Sequence, residues 1–393
     1  MKTVTLREIT LNITDGKHGD CEPAENSGYY FVSCKDVNNG TIDYANARQI
    51  SERAFLETHK RTQLEPNDIL ITNSGTIGRM ALVKDIPETY RTTFQKSVAI
   101  VKPDISVVLP TYLYYKLQNC VTDFVNCSNG SAQKNLLLGT MRKFQIDLHE
   151  DFAEQERLSS IFAAYDNLIE NNQKQVKLLE EAAQRLYKEW FVDLRFPGHE
   201  ETPIVDGVPA GWERKSLSSI ADVIMGQSPK SEFYNHNHEG LPFHQGVGTY
   251  GERFVKDDTY STSFTRIAEA GSILFSVRAP VGRLNQTKNR IVIGRGLAAI
   301  NHLNGFQSYL FYLLKEHFFK EDIVGNGSIF ASITKDELLH LKFVVPTNSI
   351  AEKYNFIARS IDKEISVLDA KIAKLKESRD RLLPKLMSGE IEV

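Results

Sequence analysis

The arrangement of apolar and polar residues along the chain predicts two similar globular segments, each followed by a long helix. Residues 69–80 read ILITNSGTIGRM and residues 273–284 read ILFSVRAPVGRL, so an apolar run that ends in Gly-Arg occurs twice. The triplet Asn-Gly-Ser also occurs twice, at 129–131 and 326–328. Internal repetition of this kind indicates two copies of one structural unit. We therefore expect a molecule with pseudo-two-fold symmetry.

Within each segment, short strand-like runs follow glycine-rich loops. These runs lie at 28–33 and 97–102 in the first segment, and at 240–245 and 297–302 in the second. Short strands with glycine turns and one or two helices are typical of an α+β domain of about 150 residues. We call the two predicted domains the first head and the second head.

Each head also contains one helix that is rich in aromatic residues, at 111–120 and at 308–317. Its rings are either packed against the sheet or exposed as stacking platforms for bases. Because they follow helical spacing, packing is the favoured interpretation. The rings concerned are Tyr112, Tyr114, Tyr115, Tyr309, Phe311 and Tyr312.

Two long stretches, 152–190 and 348–386, carry seam residues at alternating spacings of four and three. A sustained period of 3.5 is typical of a coiled coil, and about 39 helical residues would form a rod of roughly 58 Å. The first stretch leads from one head to the other, so we expect the second to pack against it in antiparallel orientation. The predicted seam contains Ile169, Val176, Leu179, Leu186, Ile365, Leu368, Ile372, Leu375 and Leu382.

Two polar residues, Asn172 and Arg379, occupy seam positions. They either fix the register of the pair or mark a splayed, solvent-exposed end. The patterns together predict four segments. The first head covers 1–149, the first long helix 150–190, the second head 191–347 and the second long helix 348–393.

The composition is that of a globular protein, with 41% hydrophobic and 25% charged residues among 393. The N-terminus has no apolar signal region, and no run approaches the length of a membrane span. The cysteines are Cys21, Cys34, Cys120 and Cys127, without metal-ligand spacing, so reduced thiols in the cytoplasm are expected.

The charge is close to balanced, with a formal net charge of −3. Acidity is concentrated in the first long helix, whereas both heads are near neutral. No acidic residue lies between Glu269 and Glu316. This basic stretch is either a solvated surface or a local footprint for phosphate. It contains Arg278, Arg283, Lys288, Arg290, Arg295 and Lys315.

The sequence contains no motif that indicates catalysis or metal binding. There is no phosphate-binding loop, nucleophile elbow or zinc-protease motif, and the Asn/Asp-Pro-Pro-aromatic motif of amino-methyltransferases is absent. His236 and His238 lack a third ligand. We expect neither enzymatic activity nor a cofactor in this chain, so any active site must belong to another subunit.

Several short segments lie at the ends of the long helices and at the start of the second head. They are Glu154-Gln155-Glu156-Arg157, LYKEWFVD at 186–193 with Phe196-Pro197, PAGWE at 209–213 and LMSGEI at 386–391. With these segments the chain resembles, over its whole length, the specificity subunit of type I restriction-modification enzymes. The stretch 349–353 departs from the Glu-Gln-rich entry of the first long helix, which raises the question whether the two subunit-docking surfaces are equivalent.

This resemblance implies a non-catalytic DNA-reading subunit, whose heads are target recognition domains for the two halves of a split sequence. The helix pair would set the spacer and dock two adenine-methylating modification subunits, and a complete complex adds motor-nuclease restriction subunits. S-adenosylmethionine, ATP and Mg²⁺ would belong to those partners. Half-sites read from one face of the duplex lie about 34 Å apart, one helical turn. The heads differ in most loop residues, so an asymmetric target is expected.

Arg and Lys read guanine in the major groove, and Asn and Gln read adenine. The repeated Arg79 and Arg283 contact either phosphate or an acidic side chain, and the Asn-Gly-Ser triplets are hairpin signals before they are DNA contacts. Further candidates in the first head are Lys17, His18, Lys35, Asn73, Gln133, Lys134 and Asn135. Those in the second head are Gln227, Lys230, His244, Gln245, Arg278, Arg290 and Arg295.

The alternative is a coiled-coil scaffold whose heads bind proteins rather than DNA, and a nuclease hidden in one head is a weaker alternative. Salt dependence separates scaffold from DNA reader, since phosphate contacts make binding fall steeply with salt.

Overall fold

The computed structural model describes residues 1–38, 40–130, 134–318 and 332–392, and these ranges form two compact units. Unit 1 consists of Met1–Asn171 with Lys371–Val393, and unit 2 consists of Asn172–Ala370. Each unit contains one head together with a part of both long helices.

The strands of the first head lie in a four-stranded sheet of order β2-β10-β7-β8, a three-stranded sheet β6-β3-β9 and two pairs, β1-β11 and β4-β5. Their bounds are β1 Lys2–Thr5, β2 Thr10–Asp15, β3 Tyr30–Val32, β4 Val37–Asn38, β5 Thr41–Ile42, β6 Arg48–Gln49, β7 Ile69–Thr72, β8 Met80–Leu82, β9 Thr92–Phe94, β10 Val98–Pro103 and β11 Gln145–Leu148.

The second head repeats the four-stranded sheet, in the order β15-β23-β20-β21, and the pair of first and last strands, β14-β24. Its smaller sheet has five strands instead of three, β16-β18-β17-β22-β19, and β12-β13 form a further pair. The bounds are β12 Ile204–Val205, β13 Val208–Pro209, β14 Glu213–Ser216, β15 Ala221–Met225, β16 Tyr234–Asn235, β17 Leu241–His244, β18 Tyr260–Ser261, β19 Ile267–Ala268, β20 Ile273–Ser276, β21 Leu284–Gln286, β22 Ile291–Ile293, β23 Leu297–His302 and β24 Lys342–Val345.

The helices complete both heads and join them to the long pair. Their bounds are α1 Glu52–Thr62, α2 Pro110–Asn119, α3 Val121–Asn126, α4 Leu138–Lys143, α5 Phe152–Phe191, α6 Gln307–Phe318, α7 Lys335–His340 and α8 Asn348–Met387. The start of α5 lies in unit 1 with the end of α8, and the end of α5 lies in unit 2 with the start of α8. The predicted fold class, two α+β heads with an antiparallel helix pair, is confirmed.

The apolar runs of β7 and β20 are continuous because both faces of these central strands are covered. In β7, Ile69 and Ile71 face the core beneath α2, while Leu70 faces a second core towards the smaller sheet. In β20, Ile273 and Phe275 face one core and Leu274 the other. Alternation of side chains along a strand therefore distributes one apolar run between two cores.

The aromatic helices pack as predicted. All six rings named above are at most 4% exposed, and they lie in the same cores as residues of both long helices. Each buried ring stabilises its unit by about 1.5–3 kcal/mol through removal of apolar area from water. The packing interpretation is confirmed, and stacking of DNA bases on these rings is excluded by their burial.

The seam residues are buried or half-buried within their units. Asn172 is 3% exposed, and half-buried Arg379 donates from Nη1 to Oδ1 of Asp166 at 2.6 Å. The suggestion that these two polar residues mark a solvent-exposed end is therefore wrong. The buried seam residues are Ile169, Val176, Ile365 and Leu368, and the half-buried ones are Leu179, Leu186, Ile372, Leu375 and Leu382.

Three kinds of link join each head to a long helix. Tyr115 Oη donates to Asp166 at 2.8 Å, and Tyr312 Oη donates to Asp362 at 3.3 Å. Lys84 pairs with Glu170, and Lys288 pairs with Asp369. A long-helix amide caps a head helix in both units, Gln155 in unit 1 and Asn355 in unit 2.

Candidate nucleic-acid interface

The repeated Gly-Arg element is a hairpin turn that closes in the same way in both heads. The backbone N–H of Arg79 donates to Thr72 Oγ1 at 2.9 Å, and the N–H of Arg283 donates to Ser276 Oγ at 2.8 Å. Positive φ at Gly78 and Gly282 completes the turn. The hydroxyl residue that ends β7 or β20 thus determines where the following loop lies.

The residues that follow β7 and β20 are hydrogen-bonded to a segment later in the chain, at 135–136 in the first head and at 332–333 in the second. The N–H of Leu136 donates to Asn73 O at 2.8 Å, and the N–H of Ile333 donates to Val277 O at 3.0 Å. Ser74 forms a bridge with Asn135, and Arg278 forms one with Ser332. Ser74 and Arg278 therefore occupy equivalent positions, the first polar and the second cationic.

A second turn, Gly294-Arg295-Gly296, lies beside this loop in the second head. The N–H of Arg295 donates to Ser228 Oγ at 3.2 Å. A Cβ atom on Gly296 would lie 2.3 Å from the carbonyl oxygen of Gln245, so only glycine permits this close approach of the two backbones.

Together these turns form a surface cleft of about 180 Å³ in the second head. Three side chains predicted to contact DNA, Gln245, Arg278 and Arg295, line it, and all three residues are exposed. Neither arginine forms an ion pair with a described residue, and the described lining contains no carboxylate. The cleft therefore has uncompensated positive charge. The rest of its lining is Gly246, Val247, Ser276, Ala279 and Gly296.

His244 does not belong to this surface, and its prediction as a DNA contact is wrong. Its side chain is fully buried. Its Nδ1 lies 2.8 Å from Thr249 Oγ1, and its Nε2 lies 3.0 Å from Asp257 Oδ1. With both ring nitrogens bonded inside the protein, His244 holds the loop that presents Gln245.

The prediction that Asn73 contacts a base is also wrong. The residue is 4% exposed, and its Oδ1 is buried without a hydrogen-bond partner among the described residues. Its backbone instead fixes the loop, because its N–H donates to Ser97 O and its carbonyl accepts from Leu136 N–H.

The first head brings lysines together where the second head has its cleft. The N–H of Lys17 donates to Phe94 O at 2.8 Å, and the N–H of Lys96 donates to Lys17 O at 3.1 Å. The N–H of Cys34 donates to Ser97 Oγ at 3.3 Å, which brings exposed Lys35 to the same end of the sheet.

Lys96 was missed by the sequence analysis, although a signal for it existed. Val98 pairs with Thr72 as Leu297 pairs with Ser276, so the residue two positions earlier is Lys96 in one head and Arg295 in the other. If the runs 97–102 and 297–302 are aligned with a shift of one residue, so that Val98 matches Leu297, this repeated cation is visible in the sequence.

The remaining candidates of the first head are less concentrated. His18 is exposed and lies 3.4 Å from Asp15. Asn129 and Asn135 exchange both backbone hydrogen bonds, as in an antiparallel bridge. Lys134 and Arg79 are exposed. Gln133 lies outside the described residues, as does the second Asn-Gly-Ser triplet at 326–328.

The basic stretch of the second head separates into two groups. Arg278 and Arg295 line the cleft, whereas Lys288 pairs with Asp369 and Arg290 with Glu269. Lys315 lies 3.8 Å from Glu180, and Arg283 is exposed at its turn. Outside the cleft, Gln227 is exposed and hydrogen-bonded through its backbone to Ile293, and Lys230 lies 3.8 Å from Glu232.

The part of the chain that the structure describes contains no group of three or more His, Cys, Asp or Glu residues that could hold a metal ion. None of its helices is both long and apolar enough to cross a membrane. All four cysteines are free thiols.

Comparison with known proteins agrees with the repeat. Residues 14–181 and 209–377 each match the model of the type I restriction modification DNA specificity domain. The MjaIX specificity subunit of a type I restriction enzyme from Methanocaldococcus jannaschii is 28% identical, over 92% of this chain and 87% of that protein. The putative MjaX specificity subunit of the same organism is 26% identical, over 93% and 88%.

A solved structure supports the fold. The crystal structure of a type I restriction-modification system S subunit from M. genitalium superposes with a TM-score of 0.57 at 14% identity, and the match covers 98% of this chain and 95% of that one.

Proposed function

Because the chain belongs to the type I restriction modification DNA specificity family, we propose that it reads the DNA target of a type I restriction-modification complex. The observation that carries this proposal is the cleft of the second head, where Arg278, Arg295 and Gln245 converge without a neutralising carboxylate among the described residues. Such a local footprint attracts phosphate although the whole chain has a net charge of −3.

The chemistry of the cleft fits readout in the major groove. An arginine can donate two hydrogen bonds to guanine O6 and N7, and a glutamine can pair with adenine N6 and N7. Exposed cations outside the cleft, such as Lys230 and Arg290, would contact phosphates and position the head without reading sequence.

The two heads would read different half-sequences. At one pair of equivalent positions the first head has Ser74 and the second has Arg278, and at another the first has Lys96 and the second has Arg295. The hydrogen-bond donors that would face DNA therefore differ between the heads. We infer an asymmetric target made of two unequal halves around a fixed spacer.

The long helices α5 and α8 would set that spacer and dock two modification subunits, with restriction subunits completing the assembly in the cytoplasm. The chain itself would catalyse nothing. S-adenosylmethionine, ATP and Mg²⁺ would be bound by the partners.

The test is a genome-wide map of methylated adenines in the host, with and without this gene. The expected result is loss of one bipartite motif when the gene is deleted. Replacement of residues 1–149 by the first head of a related chain should then change one half of the motif and leave the other half intact.

An unchanged methylome, with the modification subunit expressed and active, would contradict the proposal. It would favour the scaffold alternative, in which the heads bind proteins.

A further inference from the structure

A buried charge cluster joins the second head to both long helices in unit 2. The side chain of Arg253, 2% exposed, donates from Nη2 to Asp362 Oδ1 of α8 at 2.7 Å. Its Nη1 lies 3.9 Å from Glu180 Oε1 of α5. The guanidinium also lies 3.4 Å from the centre of the Phe311 ring. One side chain of the head thus contacts both helices of the pair.

The head adds a second cation and a hydroxyl to this cluster. Lys315 Nζ lies 3.8 Å from Glu180 Oε2, and Tyr312 Oη donates to Asp362 at 3.3 Å. Two cations of the head therefore face two carboxylates of the helices. Separating these charges in a low-dielectric interior is costly, so the cluster resists rotation of the head against the helices.

In unit 1, the arginine that bonds to the equivalent aspartate comes from a long helix and not from the head. Asp166 corresponds to Asp362 and accepts from Tyr115, as described above, but its arginine is Arg379 of α8. The arginine of unit 1 therefore joins helix to helix, and its side chain is 22% exposed. In unit 2, by contrast, Arg253 joins the head to both helices.

Arg253 is also linked to the DNA-facing cleft. The segment 244–257 is closed at its base by the hydrogen bond between His244 and Asp257. Tyr250 and Val255 form an antiparallel bridge inside it, and the N–H of Gly251 donates to Phe254 O. One hydrogen-bonded segment thus presents Gln245 to the cleft at one end and Arg253 to the helices at the other.

We propose that Arg253 is a positioning residue that fixes the orientation of the second head on the helix pair, and thereby determines which spacer length the chain accepts. This inference rests on the proposed function. Each base pair added to a spacer moves the second half-site by about 3.4 Å and turns it by roughly 34°. Only a rigidly held head can reject such a change.

The experiment uses the full chain in complex with its modification subunits. Affinity is measured on duplexes that carry both half-sequences with the native spacer, one base pair fewer or one more. The variants are Arg253→Lys, and the double variant Arg253→Met with Asp362→Leu, which removes both charges and preserves folding better than loss of one partner. Arg214→Met, an exposed arginine of the same head, is the control.

Wild type and control should bind the altered spacers about 100-fold more weakly than the native one, as for a lost base-pair contact. The double variant should discriminate by less than about 5-fold while still requiring both half-sequences, and Arg253→Lys should fall between. A purely structural role would lower stability without changing this ratio.

A folded double variant with wild-type spacer discrimination would overturn the inference. Loss of the requirement for the second half-sequence would also overturn it, because Arg253 would then be needed for the second head to bind DNA at all. If the wild type itself requires neither half-sequence, the proposed function fails, and the inference fails with it. The wild-type series alone distinguishes that case.

Discussion

At the scale of single residues, the position of Arg295 depends on the two glycines beside it. Gly294 and Gly296 allow the turn to approach the backbone of Gln245. The first head has Ser97 in place of Gly296, and there the hydroxyl accepts a hydrogen bond from the neighbouring loop at Cys34. This position therefore joins the two neighbouring loops in both heads. In the second head the backbones at Gly296 and Gln245 are in close contact, and in the first head the Ser97 side chain forms a hydrogen bond.

Gly296→Ala should destabilise the chain by about 2 kcal/mol, because its Cβ would overlap the carbonyl oxygen of Gln245. Urea denaturation measures the change. Gly248→Ala is the matched control, since nothing lies within 4 Å of its Cβ position, and it should change stability by less than about 0.5 kcal/mol. Equal effects of the two substitutions would contradict this account.

His302 makes the second head sensitive to acid. Burial lowers the pKa of His302 from 6.5 to about 4, and its Nδ1 accepts from the N–H of Asn304 at 3.0 Å. Because the folded-state pKa is depressed, the folded state binds fewer protons than the unfolded chain. The stability contributed by neutral His302 is complete above pH 6.5 and is lost as the pH falls towards 4.

The His302→Gln variant should therefore lose about 2 kcal/mol less stability than wild type between pH 7 and pH 4, a value reduced for the partial exposure of the ring. Chemical denaturation at a series of pH values gives the two curves. Parallel curves would show that His302 does not titrate as proposed.

At the scale of elements, the head helices begin where a long helix supplies an amide. Gln155 of α5, fully buried, accepts from the N–H of Leu109 at 2.8 Å and donates to His149 O at 2.7 Å. Asn355 of α8 accepts from the N–H groups of Ser308 and Tyr309. The free N–H groups at a helix start need such partners, so helix and head orient each other.

Gln155→Leu should cost about 2 kcal/mol, because it leaves a buried N–H and a buried carbonyl without partners while keeping the side-chain volume. Thermal and urea unfolding test this expectation. Gln175→Leu on the exposed face of the same helix is the control and should be nearly neutral. A Gln155→Leu variant as stable as its control would disprove the capping role.

At the scale of the whole molecule, the two-fold repeat predicts equivalent roles for Lys96 and Arg295. Lys96→Ala and Arg295→Ala should each reduce the slope of log affinity against log salt by about 1, and the double variant by about 2. Titration of the target duplex at several salt concentrations measures the slopes, with Arg214→Ala as control. An unchanged slope in either single variant would show that the two positions are not equivalent.

Much of the architecture could be predicted because repetition and periodicity are properties of the sequence itself. The recurrence of the Ile-Leu run located two equivalent hairpins, and the spacing of Tyr112, Tyr309 and their neighbours predicted buried helices. The candidate site was predicted less well, because residue type alone does not separate an exposed Arg295 from a Lys288 that reaches Asp369.

The sequence by itself determined the two α+β heads, the two long helices and their antiparallel order, since apolar periodicity and chain connectivity leave few alternatives. Tertiary structure decided which polar residues face solvent. It buried His244 and Asn73, brought Arg278, Arg295 and Gln245 to one cleft, and placed Arg253 between the second head and both helices. These outcomes depend on contacts between residues far apart in the chain, which no local pattern of residue types encodes.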